Sequence, residues 1–164
     1  ESLSPEMKAW GEAMGLDNRL NRALYKALQA SGMKIQNYGT VFVTVCDKDK
    51  AEALPLVRRF YRLGFNIEAT GGTAAFLREN GIRTRVLRKI SEGAPDIPDA
   101  LRQGHIAYVI NTGDVAANGE NSDGYRIRAL ATENNITMFT ALDTVGVLLD
   151  VLEETTLGVS TIDA

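Results

Sequence analysis

Four short segments of this chain combine residue types that together could hold an anion: Asp47-Lys48-Asp49-Lys50, Thr70-Gly71-Gly72-Thr73, Arg88-Lys89-Ile90 and Asn111-Thr112-Gly113. Each follows a short apolar run. Between them they offer hydroxyls, paired glycines, an amide and several cations, a set suited to a ligand with many acceptor oxygens, such as a phosphate. The Thr-Gly-Gly-Thr turn is the strongest of the four. Glycines let the backbone approach a ligand closely and adopt positive φ. A helix starting there presents free backbone N–H groups and a positive dipole end. Thr70 and Thr73 add hydroxyl donors. Alone, the turn also fits a plain strand-to-helix junction capped by Thr70. Lys50 and Lys89, taken singly, also fit solvated surface lysines, and Asn111 alone is ambiguous. Their joint placement after successive apolar runs favours the anion reading.

Catalytic constellations are thin. The one histidine, His105, follows Gly104 at the start of an apolar run, so it falls at the opposite end of a strand from the four segments. A loop or edge role suits it better than catalysis. The one cysteine, Cys46, continues an apolar run from Thr40 and is expected to be a core residue rather than a nucleophile. No Ser-His-Asp arrangement can therefore be assembled. No spacing suggests a metal site. Asp47, Asp49, Asp96 and Asp99 could act as bases, but helix caps and solvated charges explain them equally well.

The surrounding pattern says what must position these groups. At 164 residues, 45% hydrophobic and 24% charged, the chain has enough apolar material for one ordinary domain. A net charge of −3 argues against a general nucleic-acid binder. No run is long enough to span a membrane, and a single cysteine suits a reducing, cytoplasmic setting. From Gly39 onward, strand-like and helix-like runs alternate. Strands are expected over Val41–Val45, Phe65–Ala69, Thr84–Leu87, Ile106–Ile110 and Ile136–Thr140. Helices are expected over Asp49–Leu63, Thr73–Asn80, Ile97–Gln103, Asp123–Glu133 and Thr144–Glu153. Strands spaced by helices of this length imply parallel β-α-β units. The reading is therefore α/β, a three-layer, five-stranded, mainly parallel sheet with helices on both faces. Ligands in such sheets sit at the carboxyl ends of the strands, where the four segments fall. The Gly- and Asn-rich stretch Thr112–Asp123 is expected to be a ligand-facing or mobile loop.

Residues 1–38 read differently. Ser4-Pro5-Glu6 marks a helix start, and Asp17 caps a second helix running to about Ala30, stopped by Ser31-Gly32. Two small helices cannot bury an apolar stripe alone. An appendage is expected to lean on the body or on a neighbouring molecule through Trp10, Met14, Leu20 and Leu24. The first residue is Glu1 rather than Met, which suggests a piece of a longer polypeptide.

The runs Val43–Lys50, Gly64–Ala74, Lys89–Gly93 and Val109–Thr112 resemble the methylglyoxal-synthase-like fold across residues 39–153. That superfamily includes methylglyoxal synthase, the inosine monophosphate cyclohydrolase domain and the C-terminal allosteric domain of the carbamoyl phosphate synthetase large chain. The last is the nearest in pattern, in its bacterial form. Lys89-Ile90-Ser91-Glu92-Gly93 followed by Pro95–Asp99 resembles it closely, and Thr140–Thr144 looks like bacterial members. Gly11-Glu12-Ala13-Met14-Gly15 looks like the end of a second ATP-grasp synthetase unit. Methylglyoxal synthase would need an aspartate in a Gly-Gly-Asp loop and an active-site histidine, and neither has a counterpart. The cyclohydrolase shares Thr-Gly-Gly-Thr but not its later substrate-binding stretch.

The resemblance implies two parts: residues 1–38 as the tail of an ATP-grasp unit with its connector, and 39–164 as the allosteric domain. It implies an effector phosphate or nucleotide held by Lys50, Thr70, Gly72, Thr73, Lys89 and Asn111, with uridine or inosine monophosphate (UMP, IMP) as effector. A threonine that some members carry two residues after the asparagine is Gly113 here. The ornithine-site aromatic and threonine of some members match Phe139 and Ala141 poorly. No catalytic residue and no cofactor are implied for this fragment. ATP and a divalent metal would belong to the parent ligase, which makes carbamoyl phosphate for pyrimidine and arginine synthesis. The implied partners are the synthetase domains of the same large chain and, through them, the small glutaminase subunit, with no nucleic acid and no membrane.

Overall fold

The computed structural model describes residues 18–113 and 122–157. Helix α1 (Asn18–Ala30) precedes strand β1 (Thr40–Thr44), then a 3-10 turn (Asp47–Asp49) and α2 (Lys50–Arg62). There follow β2 (Asn66–Thr70), α3 (Gly71–Glu79), β3 (Thr84–Leu87), a second 3-10 turn (Ile90–Glu92) and α4 (Asp96–Arg102). The described chain ends with β4 (Ile106–Asn111), α5 (Asp123–Glu133), β5 (Thr137–Phe139) and α6 (Leu142–Leu157). The strands form one five-stranded sheet in the order β3-β2-β1-β4-β5. Every pairing is parallel, so the sheet is wholly rather than mainly parallel.

Short β-branched and aromatic runs make the central strands, and they are apolar on both sides because helices cover both faces. One face packs Val41, Val43, Ile67, Ala69, Tyr108 and Ile110 against α2, α3 and α6. The other packs Phe42, Leu87, Ile106, Val109 and Met138 against α4 and α5. The three-layer expectation holds. Element ends shift by a few residues, most usefully at α3, which begins at Gly71 rather than Thr73. Neither Gly71 nor Gly72 has positive φ; both sit in the first helical turn. The expected left-handed turn is absent because the strand feeds straight into the helix. A glycine is demanded instead at Gly39, where φ is +117° and an added Cβ would lie 3.3 Å from the His105 carbonyl oxygen.

Helix α1 stops at Ala30, just before Ser31-Gly32, as its sequence suggests, and leans on the body. Leu24 and Leu28 pack against Val147 and Val151 of α6. The connector that follows is fixed by Tyr108, whose hydroxyl donates to the Gln36 carbonyl at 2.7 Å and accepts from the Gln36 N–H at 2.8 Å. The expected helix start at Ser4, the cap at Asp17, and Trp10 and Met14 lie outside the described residues, as does most of the loop 112–123; the side chain of Leu20 is likewise not described. The same helix α6 is held from α2, where Arg59 forks onto Asp150 at 2.7 Å and Glu153 at 2.6 Å.

Asp96, at the start of α4, accepts from the Arg88 side chain (2.9 and 3.1 Å) and from the Arg88 backbone N–H (2.9 Å). The Arg88 side chain, then its N–H, hold the Asp96 carboxyl down to about 2, from an ordinary 3.8. The folded value lies below the unfolded one. The pair's contribution is therefore complete above about pH 4 and fades as pH falls towards 2. Asp96→Asn should abolish that component: acid-unfolding curves of variant and parent should draw together between pH 4 and 2. Parallel curves over that window would contradict it.

Candidate functional site

The strand order reverses between β1 and β4, because the chain builds β2 and β3 on one side of β1 before crossing to the other. Such a switch point opens a crevice outside the carboxyl ends of the two strands. Thr44 closes β1 and is the register partner of Asn111, which closes β4. Thr70 closes β2 beside them, and its hydroxyl donates to the Thr44 hydroxyl at 3.1 Å. Three polar side chains thus stand in a row across three adjacent strand ends.

That Thr70–Thr44 bond decides what happens at α3. Thr70 occupies the N-cap position, with φ −71° and ψ 160°, yet makes no side-chain cap to the helix. The N–H groups of the first turn have no intrahelical partners. They are left without a side-chain cap at the positive end of the helix dipole. Thr73 is 3% exposed; its hydroxyl accepts from the Val45 N–H at 3.2 Å and holds the turn to β1. Gly72 keeps the approach open, since an added Cβ would sit 3.5 Å from Lys50 Nζ. The Lys50 ammonium therefore hangs over the first turn of α3.

Lys50 opens α2, and its ammonium donates to Asp47 Oδ1 at 2.7 Å. The hydrogen bond from Lys50, then the charge of Lys50, hold the Asp47 carboxyl below its ordinary value, and Lys89 adds a smaller pull. Both lysines accordingly bear on one spot, around an aspartate side chain that is 95% exposed. An arriving dianion can displace such a solvated partner at little cost. Lys89 is exposed, two residues beyond Leu87, the register partner of Thr70.

Asn111 is placed beside these groups but is already engaged. It is 2% exposed, and its Nδ2 donates to the Gly124 carbonyl at 3.1 Å, at the start of α5. In this geometry it ties β4 to α5, while its Oδ1 faces Gly113. Cys46 is half-buried rather than in the core. Strand β1 stops at Thr44, so Cys46 lies past its end, where the thiol donates to Asp49 Oδ2 at 2.9 Å. That bond, followed by one from Thr112, lowers the Asp49 carboxyl. Thr44 is the site residue that sequence reasoning did not single out, and Thr112 figures there only as part of its segment, with no role of its own. Thr112 Oγ1 accepts from the Cys46 N–H at 3.3 Å, joining the β1 and β4 exits. Their roles depend on strand order and register, for which the sequence carries no direct signal.

His105 sits at the other end of the sheet, as expected, with Nε2 3.1 Å from Glu68 Oε2. Among the described residues no group of three or more His, Cys, Asp or Glu could hold a metal ion, and no helix is long and apolar enough to cross a membrane.

A family model for the MGS-like domain matches residues 52–140. The chain belongs to the MGS-like family. The matched stretch contains Thr70, Gly72, Thr73, Lys89 and Asn111, and begins two residues after Lys50. Among solved structures, this MGS-like fold is similar to a methylglyoxal synthase from Elizabethkingia anophelis NUHP1. The TM-score is 0.58 and the sequence identity 21%, over 70% of this chain and 79% of that one. At that identity the likeness speaks for the fold.

Proposed function

We propose that this chain is a regulatory module that binds a nucleoside monophosphate by its phosphate and does no chemistry alone. The carrying observation is the start of α3. Thr70 turns its hydroxyl to Thr44 and leaves the helix without a side-chain cap, directly beneath the Lys50 ammonium. A phosphate seated there would receive backbone N–H bonds, the helix dipole and two cations. Lys50, Gly72 and the α3 N–H groups are its contacts, Lys89 closes the outer side, and Thr70, Thr73 and Asn111 hold the frame.

The parent in this reading is the carbamoyl phosphate synthetase large chain, on the strength of the Lys89–Gly93 and Pro95–Asp99 segments and of Gly11–Gly15. The effector is then UMP or IMP, acting as a coupling of about 1–3 kcal/mol on distant synthetase sites. ATP, its divalent metal and the glutaminase subunit belong to that cytoplasmic parent. Calorimetric titration with UMP, IMP and inorganic phosphate tests the reading. Saturable binding of a nucleotide, tighter than phosphate, is expected; no binding of any of the three would overturn it.

A second reading, an enzyme of the same fold acting on a phosphorylated substrate, draws on the similarity to a methylglyoxal synthase and on Asp47 and Asp49 at the crevice. Against it, the one histidine lies at the opposite end of the sheet. The expected result is no methylglyoxal from dihydroxyacetone phosphate. Steady release by pure protein, abolished in Asp47→Asn, would install the enzyme reading.

A further inference from the structure

The amino ends of the strands carry a second polar concavity. Thr40 and Thr44 are four residue steps apart along β1, roughly 13 Å at about 3.3 Å each, so this concavity is remote from the α3 turn. It is a cleft of about 770 Å³ whose lining includes Tyr61, Asn66, Glu68, Arg83, Arg85 and His105. Glu68 is the one charged residue within the three central strands β1, β2 and β4. It is 6% exposed. His105 holds its Oε2 at 3.1 Å, but Oε1 is buried and has no hydrogen-bond partner among the described residues.

A buried carboxylate oxygen without a partner is costly, and packing does not call for one in the middle of a parallel sheet. The arginines are the complementary anomaly. Arg83 and Arg85 are exposed, line the same cleft, and form no ion pair among the described residues. Arg85 is the register partner of Glu68 on the adjacent strand, yet the two form no ion pair, and Asp96, which Arg85 also attracts, is already bound by Arg88. The cleft thus holds an acid that lacks a donor beside two bases that lack an anion.

We propose that this cleft binds a small zwitterion, its ammonium group donating to Glu68 and its carboxylate held by Arg83 and Arg85. The ammonium satisfies Oε1, and the carboxylate matches the planar fork of a guanidinium. His105, 3.1 Å from the other carboxylate oxygen and on the same cleft, is a positioning residue for Glu68. The site is independent of the phosphate-binding reading, because the two share no residue.

The test is an amide NMR titration of the whole chain with ω-amino acids of two to six carbons. The controls are butyrate, which lacks the ammonium, and butylammonium, which lacks the carboxylate. At least one amino acid should produce saturating shifts at Glu68, Arg83, Arg85 and His105 while leaving 70–74 unmoved. It should bind at least tenfold tighter than either control. Glu68→Gln, which keeps the shape, should weaken it tenfold or more, and the exposed Arg85→Ala should do the same without touching the core. Absence of saturating shifts for every chain length, equal affinity for a singly charged control, or shifts confined to the α3 turn would each overturn the proposal.

Discussion

Lys50→Ala is expected to weaken UMP binding tenfold or more, while Lys48→Ala leaves it almost unchanged. The Lys50 ammonium lies over Gly72 at the open end of α3. A charge-assisted bond from it to a phosphate is worth about 1.5–3 kcal/mol, and about 1.4 kcal/mol is a factor of ten. Lys48 is exposed and has no contact with the α3 turn. Folding should hardly register the loss of Lys50. Its side chain is only 20% exposed, less than a surface lysine would be, but its partner Asp47 is 95% exposed. Pairs of that kind contribute about 0–1 kcal/mol. Calorimetry measures the first effect and thermal melting of the unliganded protein the second. If both variants bind UMP as well as the parent chain, the phosphate does not sit at α3.

The largest effect on stability is expected at Phe60. Phe60→Ala should lower the unfolding free energy by about 3–5 kcal/mol, the range for a large aromatic removed from a packed core. Phe60 is fully buried, its ring 5.2 Å edge-on from Phe65 and 6.0 Å from Tyr108. Those rings join α2 to β4, so the void would open between a helix and the centre of the sheet. Val86→Ala on the edge strand is the control, and its partly exposed side chain should cost under about 0.5 kcal/mol. Urea titration separates them by a shift in midpoint at constant slope. A loss below about 1 kcal/mol at Phe60 would mean that α2 is not anchored through this ring.

The alternation of apolar runs with helical spacing made the α/β class readable, because parallel strands covered on both faces leave a plain signature in Val41–Val43 and Ile106–Ile110. The Thr-Gly-Gly-Thr turn was equally visible as a strand-to-helix step, although neither glycine is needed there for positive φ. Register was not visible. The Thr70–Thr44 bond, on which the open helix end depends, joins residues 26 positions apart. The departure of Cys46 from the core followed from a strand ending two residues earlier than its apolar run suggests. Glu68 looked like ordinary polar punctuation within Asn66–Thr70, and only the covering of both sheet faces makes its burial anomalous.

The two bonds between the Tyr108 hydroxyl and Gln36 give the connector a mechanical character. A segment clamped through both its N–H and its carbonyl cannot pivot freely. A pull on α1 therefore reaches the middle of β4, three residues before Asn111, as a lever would deliver it and a slack tether would not. The same clamp supplies its own gauge. Burial pushes the Tyr108 phenol up from 10.0 to about 12, so it should stay protonated well past the ordinary phenol range. Phenolate absorbance from Tyr108 below that pH would mark the moment at which the connector lets go of the sheet.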